Sequence, residues 1–136
     1  MVKSLYSEHR GFPFPPQRDP VTERVRNSLQ RWMERFGHLS QYSSVTEMAE
    51  DIDVPEDQLR RYVRTHYGKS LLVWRKEVRI EEAKALLLAY PDYSVSVIGE
   101  MVGILDKSNF KKQFTETVGM SPREWRERNA ASGQNP

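Results

Sequence analysis

The chain has no cysteine, only three histidines, no long apolar run and little charge imbalance, and each shortage closes off a class of function. Without cysteine there is no disulfide framework, no thiolate nucleophile and no cysteine-containing zinc site, and the composition fits a reducing compartment. His9, His38 and His66 stand at spacings that match no metal-ligand pattern, so they read as surface residues, and neither a metal nor another cofactor is expected. No segment approaches the roughly 18 apolar residues needed to cross a bilayer, and Met1-Val2-Lys3-Ser4-Leu5 lacks a signal-peptide type apolar stretch. The expectation is a cytoplasmic chain with no membrane insertion of its own, either stand-alone or a piece of a longer, membrane-anchored protein. A net charge of +2 with a pI near 8.9 is too mild to announce nucleic acid, so the placement of the cations has to carry that question.

What the chain does have is a near repeat. At an offset of 51, Leu59 falls on Phe110, Val63 on Phe114, Gly68 on Gly119, Ser70 on Ser121 and Trp74 on Trp125. At an offset of 50, Ser44 meets Ser94, Val45 meets Val95, Met48 meets Ile98, Ala49 meets Gly99 and Ile52 meets Val102. One extra residue in the second turn, near Leu105, accounts for the change of register, because loops absorb insertions and packed helices do not. The 136 residues suffice for one ordinary domain, or two small ones, with a real interior. Two similar units in so short a chain suggest one operation performed twice on a periodic ligand.

Residues 1–19, with Gly11-Phe12-Pro13-Phe14-Pro15-Pro16, carry too many prolines for a helix and read as an arm or linker, with a proline-rich ligand segment as the alternative. Asp19-Pro20 is a helix start, and Val21, Val25, Leu29, Trp32, Met33 and Phe36 form one apolar face before Gly37. Ser44 and Glu47 fit a capping box for a short helix burying Val45, Met48, Ala49 and Ile52. After a turn at Asp53-Val54, a helix from about Pro55 buries Leu59, Tyr62 and Val63 and stops near Gly68, which completes a helix-turn-helix over about 44–68. Ser70 caps a connecting helix over about 70–90, with Leu71, Trp74, Val78, Ala83, Leu86 and Leu87 inward and Arg75, Lys76, Glu77, Glu81 and Glu82 outward. The pattern restarts over about 94–118: Ser94 opens a short helix, Gly103 turns the chain, Asp106 caps a helix with Phe110 and Phe114, and Gly119 ends it. Ser121-Pro122 begins a closing helix that buries Trp125, and residues 130–136 read as a disordered tail. The structured domain is therefore expected over 20–129.

The stretch Arg79-Ile80-Glu81-Glu82-Ala83-Lys84-Ala85-Leu86-Leu87, followed by Val102-Gly103-Ile104, Asp106-Lys107-Ser108-Asn109-Phe110, Phe114, Gly119-Met120-Ser121-Pro122 and Trp125-Arg126, resembles the DNA-binding domain of AraC/XylS-type transcription regulators. The resemblance runs from about Ser44 to Arg128. It implies an all-α domain of two helix-turn-helix subdomains joined by a long helix, each placing one recognition helix in the major groove of double-stranded DNA. It also implies a sequence-specific transcription regulator and no enzyme: family relatives fused to repair activities use a reactive cysteine, which this chain lacks. RNA polymerase is a second candidate partner.

With Leu59, Tyr62 and Val63 inside, the opposite stripe of the first recognition helix is Asp57, Arg60, Arg61 and Arg64. In the second, Phe110 and Phe114 inside leave Lys107, Ser108, Lys111 and Lys112 outside, with Asn109 at the edge. Matching the family pattern puts base contacts at Asp57, Arg60 and Arg61 and at Lys107, Ser108, Asn109, Lys111 and Lys112. Ser44 and Ser94 are helix caps with backbone phosphate contact as a second role, and Lys69 and Arg123 join them as candidate phosphate contacts. Exposed helix faces are commonly charged because they are wet, and Trp74 and Trp125 at helical spacing are core rather than base-stacking platforms. Two basic stripes on equivalent helices are what favours DNA. The connecting helix would rise roughly 31 Å, close to the roughly 34 Å between successive major-groove faces, so that one protomer would read adjacent grooves.

The first unit departs from the family pattern with Asp53 for the usual glycine and with Pro55-Glu56-Asp57, whose acids suit a helix start but repel phosphate. The second departs less, with Ile104 for phenylalanine, Gly99 for alanine and Lys112 for arginine. The alternative function is a degenerate helix-turn-helix that docks on RNA polymerase or another regulator through the acidic first unit.

Overall fold

The computed structural model describes residues 19–41 and 44–133, and residues 1–18 of the expected arm lie outside them. Among the described residues are seven α-helices, one 3-10 turn and no strand, in agreement with the all-α expectation. They are α1 (Pro20–Glu34), the 3-10 turn Gly37–Leu39, α2 (Val45–Ile52), α3 (Glu56–Tyr67), α4 (Leu71–Ala89), α5 (Val95–Met101), α6 (Lys107–Val118) and α7 (Pro122–Gly133). The chain divides into two compact units between Arg75 and Lys76, within α4.

In the first unit α1 packs against α2 and α3. It starts at Asp19, whose carboxylate accepts from the Val21 amide (3.2 Å) and the Thr22 hydroxyl (2.8 Å) and is held below the usual carboxylate range first by Thr22 and then by that amide. Val25, Leu29, Trp32 and Met33 are its buried face. The helix stops three residues before the expected Gly37: Arg35 caps it and Phe36 is left-handed (φ 63°), which turns the Phe36 ring out to 49% exposure instead of onto the apolar face. Gly37 then lies so close to the Trp32 indole that a Cβ there would collide with the ring. That approach folds His38 inward to 1% exposure, with its ring edge-on to Trp32, which corrects its reading as a surface residue. His66 is half-buried and stacked on Tyr62 at 4.1 Å, and His9 lies outside the described residues.

Ser44 caps α2 by accepting from the Glu47 amide (3.1 Å). Asp53 then adopts the left-handed conformation (φ 72°) that a glycine would take, and Val54 donates back to the Ala49 carbonyl (3.2 Å). Leu59, Tyr62 and Val63 of α3 are buried with Met48, Ala49 and Ile52, and left-handed Gly68 (φ 72°) ends α3.

The second unit repeats this path. Ser94 accepts from the Val97 amide (3.1 Å), Gly103 is left-handed (φ 84°), and Ile104 donates to the Gly99 carbonyl (2.8 Å). Leu105, 64% exposed, is the extra residue before Asp106, which caps α6 through the Asn109 amide (2.7 Å). Phe110 and Phe114 are buried. Ser121 and Glu124 form a reciprocal capping box for α7, each accepting the other's amide at 3.1 to 3.2 Å. That helix runs to Gly133, so residues 130–133 are helical where a disordered tail was expected, and residues 134–136 lie outside the described residues. Trp125 is only half-buried, edge-on to Phe114 and under the Lys84 ammonium (5.7 Å).

One expectation about α4 is corrected. Its buried apolar residues do not form a single stripe: at about 3.6 residues per turn, Leu71, Trp74 and Val78 share one side and Ile80, Ala83 and Leu87 the opposite one. Glu82, expected outside, falls on the Leu71 and Val78 side and is 2% exposed, and Arg79 is buried and donates to the Gly103 carbonyl (3.3 Å).

Two predictions follow from the second unit. A Cβ on Gly99 would stand 2.8 Å from Phe110 Cγ and 3.2 Å from the Ile104 carbonyl oxygen. Gly99→Ala should therefore lower stability in chemical denaturation, an overpacking cost of about 1 to 3 kcal/mol outweighing about 1 kcal/mol of helix propensity. In a Phe110→Leu background, which copies the Ala49 and Leu59 pairing of the first unit, the same change should become neutral or stabilising. Arg126 donates to the carbonyls of Leu87 (3.0 Å), Tyr90 (3.0 Å) and Tyr93 (2.8 Å), tying the open end of α4 to α7. Arg126→Lys keeps the charge but not the fork, and should still cost about 2 kcal/mol in the same measurement.

Candidate nucleic-acid interface

In both units the helix after the left-handed turn is amphipathic in the same sense, because the residues facing its short partner are apolar and those facing away are charged. On α3, Asp57, Arg60, Arg61 and Arg64 are all exposed opposite Leu59, Tyr62 and Val63. On α6, Lys107, Ser108, Asn109, Lys111 and Lys112 are exposed opposite Phe110 and Phe114. Among the described residues no ion pair reaches Arg61, Arg64, Lys107, Lys111 or Lys112, so their charge is available to an outside anion.

Arg60 is different. Its Nε donates to Glu56 Oε2 one turn earlier (2.9 Å), and Glu56 Oε1 accepts from the Thr46 hydroxyl of α2 (2.9 Å). The Thr46 bond first, and then Arg60, hold the Glu56 carboxyl below the usual carboxylate range. The sequence showed that acids open this helix, and it did not show that one of them is committed to Arg60. The i, i+4 spacing of Glu56 and Arg60 was the available signal.

The second unit gathers residues that the sequence had treated separately. A cleft of about 600 Å³ is lined by Ser94 and Ser96 at the start of α5, Lys107 and Lys111 of α6, and Arg123 and Arg126 of α7. Ser94 and Arg123, read as phosphate contacts, thus share one concavity with two of the lysines read as base contacts. Ser96 was missed, because nothing in its spacing distinguishes it from an ordinary exposed helix residue. Glu127 also lines the cleft and stands 3.8 Å from Arg123, offsetting part of its charge. Arg126 spends its donors on carbonyls and shapes the wall. Ser44 is exposed at the start of α2, and Lys69 is half-buried just after α3.

A family model described as a helix-turn-helix domain matches residues 48–128. The arabinose operon regulatory protein of Salmonella typhimurium is 31% identical over 107 residues, which cover 79% of this chain and 37% of that protein. The chain thus spans little more than a third of the length of that relative. Among solved structures, the DNA-binding domain of AdpA, a global transcriptional factor, in complex with a target DNA superposes with a TM-score of 0.68 at 23% identity, covering 87% of this chain and 99% of the other. The C-terminal domain of AraT, a response regulator from Geobacillus stearothermophilus, superposes with a TM-score of 0.66 at 23% identity, covering 83% and 88%. These two likenesses carry the fold, and the family match covers both repeats. The chain belongs to the AraC/XylS-type helix-turn-helix family.

Proposed function

We propose that this chain is a sequence-specific transcription regulator that binds double-stranded DNA, with α3 and α6 each entering a major groove. The observation that carries the reading is the exposed, largely unneutralised cationic face on the same helix of both units. Arginine and lysine on such a face suit guanine edges and phosphates. The printed identities of the relatives, an operon regulatory protein and a transcriptional factor with its target DNA, support it.

The cleft between α5, α6 and α7 supplies the backbone contact of the second unit. A phosphodiester there would meet Lys107, Lys111 and Arg123 beside the hydroxyls of Ser94 and Ser96. Such contacts fix register while base edges are read elsewhere on α6 by Ser108, Asn109 and Lys112. Ser44 and Lys69 are the corresponding phosphate contacts of the first unit. Because the two faces differ, guanidinium-rich on α3 and ammonium-rich on α6, the favoured site is two unlike boxes rather than a palindrome. Action on duplex DNA puts the protein in the cytoplasm, with RNA polymerase as the partner through which bound protein would alter transcription. The docking alternative relied on the acids of the first unit, and it is weakened by the engagement of Glu56 with Arg60 and Thr46.

Selection of bound sites from random duplexes tests the reading directly: enrichment of two dissimilar boxes is expected, and no salt-sensitive enrichment at all would sink it. On the selected site, Lys111→Ala should weaken binding to all sequences alike and shrink the salt slope by about one, as a phosphate contact does. Lys112→Ala should instead relax discrimination at one base pair by about 1 to 3 kcal/mol. Unchanged affinity for both at two salt concentrations would remove α6 from the interface.

Asp57, the one acid on the α3 stripe, gives an independent check. If its carboxylate accepts from cytosine, Asp57→Ala loses discrimination at one base pair; if it only repels phosphate, the same change raises affinity for specific and random duplexes together. No change on either duplex would mean that the start of α3 stays clear of DNA.

A further inference from the structure

Among the described residues, Arg60 is the one of the three α3 arginines that is held by a carboxylate. The guanidinium can pair through two edges, an inner one that includes Nε and an outer fork formed by Nη1 and Nη2. Glu56 takes Nε, and among the described residues nothing takes the outer fork. Glu56 is itself anchored, because its other oxygen is bound to the Thr46 hydroxyl on the neighbouring helix. The chain Thr46, Glu56, Arg60 therefore runs from α2 to the exposed face of α3 and ends in two donors, Nη1 and Nη2, that Glu56 does not take. A bidentate contact to guanine O6 and N7 needs those two donors in one plane and at one place.

We infer that Glu56 is a specificity-determining positioning residue, which with Thr46 pins Arg60 so that its outer fork reads a guanine, whereas Arg61 and Arg64 serve mainly as unspecific cations. This rests on the reading of α3 as a recognition helix. The physical ground is preorganisation. An unrestrained arginine must lose its rotamer freedom on binding any base or phosphate, and it settles on whichever is nearest. A guanidinium already fixed through Nε loses less freedom in the one geometry that suits guanine, and gains less from others. The acid also acts against indiscriminate binding, since its charge opposes phosphate everywhere while its hydrogen bond favours one base. Affinity and selectivity thus respond to Glu56 in opposite directions, and a merely structural carboxylate would not produce that split.

The test uses the full chain and the duplex recovered by site selection, with every base pair of the α3 box varied in turn. Folding of each variant is checked by helical circular dichroism and thermal melting. Arg60→Ala should lose about tenfold discrimination at one guanine, and Glu56→Ala should lose a similar factor at the same base pair while binding random duplex as well as or better than the parent chain. The double variant should lose no more discrimination than either single one. Thr46→Val, which frees Glu56 without removing its charge, should lose a smaller factor, about two- to threefold, at that same position. Arg61→Ala and Arg64→Ala should weaken all sequences alike. If Glu56→Ala raises affinity for every duplex and keeps full guanine discrimination, Glu56 only masks Arg60 and the inference is wrong. If Arg60→Ala alters no position while α6 variants still do, α3 does not read bases. The inference then falls with that part of the proposed function, and the second unit stands.

Discussion

Each helix-turn-helix depends on one backbone junction, where the carbonyl of a small helical residue accepts the amide five positions on, across a left-handed residue. Ala49, Asp53 and Val54 build it in the first unit, and Gly99, Gly103 and Ile104 in the second. The bond ends the short helix and reverses the chain, and the buried Val54 or Ile104 seals the turn. The small residue is what allows the following helix to approach closely. The first unit has Ala49 and Leu59 at the equivalent positions, and with the larger Phe110 the space for even a methyl group disappears, hence Gly99. A helix of seven or eight residues would not persist alone. The junction and the packing it permits keep α2 and α5 folded, and they aim α3 and α6 with their charged sides outward.

The charged sides then differ in how much of their charge is committed. On α6 the lysines carry no counter-charge among the described residues, and two of them line a cleft with Arg123, an arrangement suited to a passing phosphodiester. On α3, among the described residues, one arginine is internally balanced and two are not. In the proposed role α6 adds a phosphate-holding field to its base-reading residues, and α3 adds one guanidinium set by geometry. A net charge of only +2 is consistent with this division, since acids such as Glu56 and Glu127 sit beside the cations they offset. Weak overall attraction to DNA leaves more of the binding free energy to specific contacts, a condition for discrimination among many competing sites.

Much of the fold was legible because its signals are local. Caps at Asp19, Ser44, Ser94, Asp106 and Ser121, left-handed positions at Gly68, Gly103 and Gly119, and the 50/51 offset each depend on a few neighbouring residues, and the structure carries all of them. The outward placement of Arg60, Arg61, Arg64, Lys107, Lys111 and Lys112 was legible for the same reason, since it follows from the period of the buried residues beside them. The misplaced residues share the opposite property. Phe36 and His38 are set by the close approach of Gly37 to the Trp32 ring, and Glu82 by an α4 whose buried side changes along its length. The tail residues 130–133 were lost because a small polar run carries no periodicity from which to extend a helix.

Periodicity and capping act over one or two turns, so the amino-acid sequence was enough to give an all-helical chain, the same unit twice, and the charged side of α3 and of α6. Tertiary structure alone decided which charges are free and which are engaged. That Glu56, paired with Arg60 one turn on, is also tied to Thr46 of α2, that Arg126 is consumed by three carbonyls, and that Ser94, Lys107 and Arg123 share a cleft are matters of distance between elements, and no spacing along the chain encodes them. Electrostatic interaction falls with separation in space and hydrogen bonds fail beyond a few ångströms, so the chemistry of a charged surface is settled only when the helices have packed.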